Sequence, residues 1–266
     1  MPLSVCATPI GNLADVTQRV LEELAAADLV LCEDTRHTRV LLARYAIRAR
    51  LLSYHRHNEA ARTEELMPRL EAGERMALVS DAGLPGVNDP GARLVAAALA
   101  AGVSVTVLPG PSAVETALVA SGLAGDQYRF LGYLPRTEKG RTELWEELAR
   151  WPHPAVAFES AKRLPATLRS LARSDPDRQV SVCRELTKVF EDVVRGTAAA
   201  VAEHFPQPPK GEVTLVFGPS APASDEAAAF TAVEELLSAG TPRGVAAAVV
   251  ARLTGVSRNS LYRTSL

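Results

Sequence analysis

The chain of 266 residues is 47% hydrophobic and 23% charged, an ordinary globular composition that is long enough for two modest domains. Its formal net charge of -2 argues against a protein that coats nucleic acid by bulk charge. No apolar run approaches the roughly 20 residues needed to cross a bilayer, and the first residues lack the zones of a signal peptide. These features predict a cytoplasmic protein that does not enter a membrane.

The cysteines and histidines do not form a metal-binding pattern. Cys6, Cys32 and Cys183 are widely spaced within apolar runs, which is typical of buried free thiols in a reducing compartment. The sequence contains neither a CxxC nor an HxxxH spacing. We therefore expect no metal site.

Positive charge is concentrated in two zones of the chain. Seven arginines lie from Arg36 to Arg62 against one acid, Glu59, and four arginines follow Glu235 with no acid. A local basic zone would let the protein meet phosphate on one face, although solvated helix faces explain either zone equally well.

Apolar runs alternate with helical stretches over the first 108 residues. Strands are predicted at LSVCA, LVLC, LLSYH, MALVS and VSVTVL, with helices from Asp15, around Arg39 to Tyr45, and from Glu59. Nearly continuous apolar strands between helices predict a mostly parallel sheet covered on both faces. The sequence therefore predicts an N-terminal α/β domain, assigned to residues 1–124.

The same alternation returns after a helix predicted over Ser112 to Ser121. Strands are predicted at YRFLGYLP, PAVAFES, QVSVCREL and EVTLVFG, with a helix from Arg163, which gives a second α/β domain over 125–220. After the small-residue stretch GPSAPASDEAAA the composition becomes helical, and a separate module is assigned to 225–266. Residues 242–266 resemble a helix-turn-helix whose second helix starts at Ser257, and a small helical cap is an equally good interpretation.

Three irregular loops follow strands of the first predicted sheet. The loop ATPIGNL matches neither a phosphate-binding nor a dinucleotide-binding pattern, and Pro9 removes a donor that a phosphate site would use. In the second loop, Asp81 would face a ribose hydroxyl or a positive charge, or would cap a turn. The third loop ends at Ser112, a predicted helix N-cap. Because parallel strands end at one edge of a sheet, we expect the loops to converge there on a ligand other than a nucleotide phosphate.

Two polar clusters follow other strands of the same sheet. They are CEDTRHTR and HRHNE, which contribute Glu33, Asp34, Arg36, His57, Asn58 and Glu59. Carboxylates, an imidazole and a guanidinium together suit proton handling and binding of a polar substrate, and a structural network of salt bridges is the competing interpretation.

Charged residues also follow strands of the second half. They come from AFESAKR and CRELTK and are Glu159, Arg184, Glu185 and Lys188. If these residues face the clusters of the first half, they would form a cleft between the domains, which is a common place for a ligand.

Eight motifs in this order cover nearly the whole chain and closely resemble the family of ribosomal RNA small subunit methyltransferase I. They are ATPIGNLADVTQR, EDTRHTR, HNE, SDAGLPGVNDPG, LPGPSA, GYLP, RELTK and KGE. The family belongs to the tetrapyrrole methylase-like superfamily. The resemblance implies two α/β domains with S-adenosylmethionine between them, a C-terminal helical module and a homodimer. It also implies methyl transfer to the ribose 2'-hydroxyl of a cytidine in the decoding region of 16S rRNA, within the 30S subunit.

The resemblance assigns roles to individual residues. It implies that the cofactor contacts Pro9, Asp81, Gly83, Val87, Ser112, Ala113, Glu159, Leu186 and Gly211. Candidates for the base, or for orienting the hydroxyl, are Glu33, Asp34, His57 and Glu59. Arg36 and Lys188 would hold phosphates that flank the target, and no metal is needed because the sulfonium is already a strong electrophile.

Three positions depart from the family pattern. Leu84 stands where threonine is expected, which removes a hydroxyl that could bond the cofactor. The segment FESAKR lacks the tyrosine and the histidine of the usual FYES-x-HR. Ala161 and Lys162 would shift a substrate contact, and Lys162 would add affinity for RNA phosphate.

Two other functions fit parts of the sequence. A methyltransferase of the same fold acting on a porphyrin-like ring, or on a modified protein side chain, would need an apolar wall where the two clusters are polar. A DNA-binding regulator would bind nucleic acid mainly through its last 25 residues, so deleting residues 225–266 would remove all binding.

Overall fold

The structure is a computed structural model that describes residues 2–220 and 226–264. The chain forms two compact units. The first comprises residues 1–122, 182–193 and 211–214, and the second comprises residues 123–181, 194–210 and 215–266. Part of the small-residue stretch before the helical module, 221–225, and the last two residues of that module lie outside the described residues. The domain limits at 124, 220 and 225 stay predictions.

The first unit contains a five-stranded parallel sheet with the order β3-β2-β4-β1-β5. Its strands are β1 Leu3–Cys6, β2 Leu29–Cys32, β3 Leu51–Ser53, β4 Met76–Leu78 and β5 Val105–Leu108. Its helices are α1 Gln18–Ala26, α2 Thr35–Arg44, α3 Glu59–Glu71, α4 Ala92–Ala100 and α5 Ala113–Ser121.

Both faces of this sheet are buried because successive strand side chains point to opposite sides. Leu31 belongs to an apolar cluster that includes Leu66 of α3. The next residues on either side, Val30 and Cys32, belong to a second cluster that includes Leu24 of α1. The strands are therefore continuously apolar in sequence because they are buried on both faces of the sheet, as predicted.

Helix α1 begins later than predicted, so the prediction that it starts at Asp15 is wrong. Leu13–Asp15 forms a short 3-10 helix in which the Asn12 side chain accepts a hydrogen bond from the Ala14 N–H at 3.0 Å. The cap of α1 is Thr17, whose hydroxyl accepts from the Val20 N–H at 3.2 Å. A second polar residue capable of capping, two positions downstream, determines the start of the helix.

The second sheet has the order β6-β7-β10-β8-β9. Its strands are β6 Arg129–Tyr133, β7 Ala155–Ser160, β8 Gln179–Arg184, β9 Asp192–Thr197 and β10 Glu212–Phe217. The helices along this part of the chain are α6 Glu138–Ala149, α7 Leu164–Ser174 and α8 Ala198–His204. In its core, the rings of Trp145 and Phe217 lie 5.5 Å apart, and the Trp145 indole N–H donates to Ser170 Oγ at 3.0 Å.

Three helices follow the second sheet, namely α9 Glu226–Ser238, α10 Arg243–Thr254 and α11 Arg258–Thr264. They share a small apolar core that includes Val233, Val250 and Leu261. Gly255 ends α10 with a left-handed φ of 73°, and α11 starts three residues later. The predicted fold class, two α/β domains followed by a small helical module, is confirmed.

Within residues 2–220 and 226–264, no helix has both the length and the apolar character that a bilayer crossing requires. All three cysteines are buried free thiols.

Candidate active site

The carboxyl edge of the first sheet holds a cavity of about 460 Å³, which we call the α2 cavity. Its lining comes from the loop after β1 (residues 8–11 and 13), from α2 (37, 38, 40 and 41), from the loop after β4 (80–82), and from Lys188 and Glu212. All of these residues belong to the first unit. The break at Pro9 therefore lines a pocket, as its position after a parallel strand predicts.

The loops after β1 and β4 are joined by a pair of main-chain hydrogen bonds. The Thr8 N–H donates to the Gly83 carbonyl at 2.8 Å, and the Gly83 N–H donates back at 3.0 Å. The Thr8 hydroxyl also donates to the Ser80 carbonyl at 3.0 Å. Gly83 has a φ of +79°, a conformation that favours glycine. These bonds fix the position of Pro9 relative to Asp81.

The start of α2 is fixed by Asp34, its N-cap. The Asp34 carboxylate accepts from the Arg36 N–H at 2.8 Å and from the Arg36 guanidinium at 2.7 Å. The Asp34 N–H donates to Asp81 Oδ1 at 3.1 Å, which ties α2 to the loop after β4. The hydrogen bonds from Arg36 hold the pKa of Asp34 well below its usual range. Asp34 is therefore a weak base, and much of the charge of Arg36 is already paired.

Three carboxylates, those of Glu33, Asp81 and Asp89, lie near the hydrogen bond between Asp34 and Asp81. Burial raises the pKa of Glu33, and the negative charge of Asp81 raises it further. Burial also raises the pKa of Asp89 to about 6, with the charge of Glu33 as the next cause. The Arg56 guanidinium donates to the carbonyl of Asn88, which anchors this part of the loop. Asp89 lies inside the quoted SDAGLPGVNDPG motif, but its burial could not be predicted from the motif.

The second polar cluster has a structural role at the end of β3. Asn58 Oδ1 accepts from the His55 N–H at 2.8 Å, and its Nδ2 donates to the Ser53 carbonyl at 3.1 Å. Glu59 is the first residue of α3 and accepts from the Thr63 hydroxyl through its carbonyl. The ring of His57 lies 5.9 Å from that of His55. None of His57, Asn58 and Glu59 lines the α2 cavity.

Residues 185–188 form a tight turn that is held by ion pairs. Lys188 Nζ lies 2.8 Å from Glu185 Oε1 and 2.8 Å from Glu212 Oε2. Burial lowers the pKa of Lys188, but the two carboxylates outweigh that effect and the pKa is raised. The hydrogen bond from Lys188 and the Glu212 N–H lower the pKa of Glu185. The ammonium group is already paired in this conformation, so its role with RNA phosphate stays a prediction.

The turn also packs tightly against glycine. Glu185 and Thr187 adopt left-handed φ values of 51° and 66°. A Cβ at Gly211 would overlap the Glu185 side chain, and Gly211 itself has a φ of +96°. The Thr187 hydroxyl accepts from the Asn12 N–H at 3.0 Å, which connects the turn to the loop after β1.

The residues that the resemblance assigns to the cofactor are distributed unevenly. Pro9 and Asp81 line the α2 cavity, and Gly83 bonds to Thr8 beside it. The remaining cofactor candidates do not line the α2 cavity. Those that belong to the first unit are Val87, Ser112, Ala113, Leu186 and Gly211. Ser112 occupies the N-cap position of α5, but its hydroxyl bonds Glu115 instead of capping the helix.

Glu159 belongs to the second unit and is buried at 3% relative exposure. Its carboxylate accepts from Arg163 at 2.5 Å, from the Ser160 N–H at 2.6 Å and from the Thr167 hydroxyl at 2.7 Å. These bonds use the side chain structurally, so its contact with a cofactor stays a prediction.

The three departures from the family pattern have simple surroundings. Leu84 packs against the apolar cluster of the first sheet that contains Leu31. An apolar packing contact therefore replaces the hydroxyl that threonine would supply at this position. Lys162 is exposed and Ala161 is half-buried.

The main feature of the site that was not predicted from the sequence is the wall formed by α2. His37, Thr38, Val40 and Leu41 line the α2 cavity, although none of them was singled out from the sequence. Helical spacing could have found them, because residues three and four apart share one face of a helix. Among the described residues, no group of three or more metal-ligating side chains is placed to hold a metal ion.

Comparison with known proteins defines the class. The family model for Tetrapyrrole (Corrin/Porphyrin) Methylases matches residues 2–202. Among solved structures, the methyltransferase CobJ is similar with a TM-score of 0.62, at 20% identity over 82% of this chain and 94% of that chain. A uroporphyrin-III C-methyltransferase from Thermus thermophilus, complexed with S-adenyl homocysteine, has a TM-score of 0.57 at 19% identity, over 81% of this chain and 96% of that chain. These likenesses establish the fold.

Full-length relatives narrow the class further. The protein of Mesorhizobium japonicum called Ribosomal RNA small subunit methyltransferase I is 44% identical over 99% of this chain and 91% of that protein. The protein of the same name from Synechocystis is 40% identical over 99% of this chain and 97% of that protein. The chain therefore belongs to the tetrapyrrole methylases and, within them, to the ribosomal RNA small subunit methyltransferase I family. It is a methyltransferase.

Proposed function

We propose that this enzyme uses S-adenosylmethionine to methylate ribosomal RNA, and that its target is the ribose 2'-hydroxyl of a cytidine in the decoding region of 16S rRNA. The observation that carries the proposal is the double role of α2. One part of the helix lines the α2 cavity, while Arg39 and Arg44 are exposed on the same helix. A nucleotide in the cavity would leave its flanking phosphates beside positive charge. The names of the full-length relatives support the same substrate class.

The residues of the α2 cavity fit a sulfonium cofactor. The carboxylate of Asp81 suits a positive charge, the main chain of residues 8–11 offers polar groups, and Ile10, Leu13 and Leu41 supply apolar surface. When bound, S-adenosylmethionine supplies an electrophilic methyl group. The residues of the chain then have to bind the cofactor and the RNA, orient them and exclude water.

Positioning is the main contribution that these residues can make. The Thr8–Gly83 bonds, the Asp34–Asp81 bond and the Lys188 ion pairs fix three walls of the cavity before any ligand binds. Alignment of reacting groups can supply roughly 7 to 11 kcal/mol of a barrier. A positioned base adds a smaller factor, about 10²- to 10⁴-fold.

The proposal includes the setting of the reaction. The enzyme acts in the cytoplasm, as a homodimer, on 16S rRNA within the 30S subunit, as the resemblance to its family implies. Light scattering after size exclusion measures the dimer directly. Parallel assays with 30S particles and with free 16S rRNA test the form of the substrate, and faster methylation of free rRNA would contradict that part of the proposal.

The decisive experiment is mass spectrometry of 16S rRNA from cells that lack the gene. We expect one ribose methyl to be missing from one cytidine in the decoding region, and to return when the gene is supplied in trans. A missing methyl on a base, or no missing methyl, would contradict the proposed target. Incubation with a porphyrin-like substrate tests the macrocycle alternative in the same assay.

A further inference from the structure

The α2 cavity contains one imidazole, that of His37. Two other side chains at the cavity could accept a proton, and both are already engaged. Asp81 Oδ1 accepts from the Asp34 N–H at 3.1 Å, and Glu212 Oε2 lies 2.8 Å from the Lys188 ammonium. Within the described residues, the ring of His37 makes neither a hydrogen bond nor an ion pair. His37 is therefore the lining group that is available to a substrate.

The backbone of His37 is held firmly although its side chain is exposed. It lies in the first turn of α2, directly between Arg36 and Thr38, which both bond Asp34. The neighbouring Thr38 is buried at 3% relative exposure, and its N–H donates to the Asp34 carbonyl at 3.1 Å. The ring thus projects from a fixed position at the cavity wall.

The polar candidates predicted from the sequence are less well placed. Glu33, Asp34, His57 and Glu59 do not line the α2 cavity. Asp34 is committed to Arg36, and Glu33 lies in the carboxylate group with Asp89. A base must reach the proton it removes, so location takes precedence over residue type.

We propose that His37 is the catalytic residue that accepts the proton of the attacking ribose hydroxyl, an inference that rests on the proposed function. As the bond from the ribose oxygen to the methyl carbon forms, the bond from that carbon to sulfur breaks. The sulfonium leaves as a neutral thioether, and the hydroxyl proton moves to the imidazole, which becomes a cation. Both carboxylates of the cavity, Asp81 and Glu212, would stabilise that cation, and Lys188 opposes it.

Kinetics provide the first part of the test. His37→Gln keeps a polar side chain of similar size but cannot take up a proton at neutral pH. With 30S particles as substrate, we expect kcat to fall about 10²- to 10⁴-fold while KM changes little. The acid limb of the pH profile should disappear, because glutamine at position 37 carries no group that takes up a proton. Calorimetry should give an unchanged affinity for S-adenosylmethionine, which also shows that the variant is folded.

His204→Gln is the matched control. His204 is an exposed histidine in the last turn of α8, outside the candidate site. We expect its kcat, KM and pH profile to equal those of the unaltered enzyme.

A chemical footprint gives a readout that does not depend on activity. Diethylpyrocarbonate should modify both His37 and His204 in the free protein, since both are exposed. Addition of 30S particles should protect His37 and leave His204 reactive, as read by mass spectrometry of the protein.

Three outcomes would overturn the inference: a kcat of His37→Gln within threefold of the unaltered enzyme, an unchanged acid limb, or no protection of His37. Loss of cofactor affinity in the variant would assign His37 to the cofactor instead and would also overturn it. Failure of the unaltered enzyme to methylate 30S particles would refute the proposed function itself, so the two failures are distinguishable.

Discussion

Gly11 lies against Lys188 so closely that a Cβ at position 11 would sit 2.6 Å from Lys188 Cγ and 2.8 Å from Thr187 Oγ1. The main-chain oxygen of Leu186 would be 3.0 Å away. Real Cβ atoms do not approach heavy atoms this closely, so any side chain at position 11 must displace the 185–188 turn. Gly11 is therefore required by close packing between two walls of the α2 cavity.

We expect Gly11→Ala to lower methylation activity strongly, because it moves Lys188 and the ion pairs with Glu185 and Glu212. Misplacement of a positioning element by about 1 Å can cost on the order of 100-fold in rate. Gly125→Ala is the matched control, since its Cβ would meet nothing closer than 3.9 Å. Equal activities of the two variants in a 30S methylation assay would show that the packing at Gly11 is not required.

Charge reversal on α2 separates RNA binding from cofactor binding. The first choices from the sequence would be Arg36, Arg39 and Arg56, but Arg36 is paired with Asp34 and Arg56 anchors Asn88. Arg39 and Arg44 are the cleaner positions, because both are exposed and, within the described part of the chain, neither side chain makes a hydrogen bond or an ion pair. We expect the double variant R39E/R44E to bind 30S particles more weakly. The slope of log affinity against log salt concentration should become shallower by about two released counterions, and cofactor affinity should be unchanged.

The control for that experiment is a reversal of equal charge elsewhere. Arg93 of α4 and Arg169 of α7 are exposed and distant in sequence from the basic zone. If R93E with R169E weakens 30S binding as much as the α2 pair does, the effect comes from net charge and not from this helix.

Asp89 should make stability depend on pH between about 4 and 6. Burial, followed by the charge of Glu33, raises its pKa from 3.8 to about 6 in the folded chain. The folded state therefore keeps this proton to higher pH than the unfolded chain does. The stability that this group contributes is fully present below pH 3.8 and is lost as the pH rises through about 6.

Removal of the charge should reverse that loss. We expect Asp89→Asn to raise the free energy of unfolding on the order of 1 kcal/mol at pH 8, and to change it little at pH 4. Urea denaturation at the two pH values measures the difference. An equal effect at both pH values would mean that the substitution acts through packing and not through charge.

The three thiols should be unreactive in the folded protein. Cys6, Cys32 and Cys183 are buried, and burial, assisted by the charge of Glu23, raises the pKa of Cys6 to about 12. Since the thiolate is the reactive form, Ellman's reagent at pH 8 should release little colour until urea is added, and three equivalents afterwards. Rapid reaction without denaturant would place at least one thiol at the surface.

Glu159 offers a test between a structural and a cofactor role. Its buried carboxylate accepts from Arg163, Ser160 and Thr167, so removing it takes the counter-charge from a guanidinium that otherwise donates to the Leu134 carbonyl, and leaves two unsatisfied donors. We expect Glu159→Ala to lower the free energy of unfolding by about 3 to 5 kcal/mol. Glu203→Ala, at an exposed position in α8, should stay within about 0.5 kcal/mol of the unaltered protein. Loss of cofactor affinity without loss of stability would favour the role that the family resemblance implies.

The sequence predicted the sheets well because burial on two faces leaves a continuous apolar run, as in LVLC of β2. Strand β9 was missed, since DVVRGT is only half-buried at the edge of its sheet and carries charge and glycine. The start of α1 was misplaced because Asp15 and Thr17 are both good caps, and only the three-dimensional context chooses between them.

Prediction of the site was limited by side-chain partners. Loop positions follow from strand ends, which is why Pro9 and Asp81 were found at the cavity. The partners of polar side chains cannot be predicted from strand ends. In the structure Arg36 pairs with Asp34, and Asn58 donates to the main chain of Ser53. Lys188 pairs with two glutamates. His37 was overlooked because helix α2 was predicted to begin around Arg39.

The first unit is assembled from three separated parts of the chain, and the last of them ends at residue 214. Synthesis on the ribosome proceeds from the N-terminus, so the parallel sheet of this unit is translated long before Lys188 and Glu212 emerge. A nascent polypeptide can therefore form the strands early, yet its cavity stays incomplete until Glu212 has been translated. Completion of the cavity is thus coupled to elongation beyond the sheet, and a fragment that ends near residue 124 lacks the wall that Lys188 and Glu212 provide.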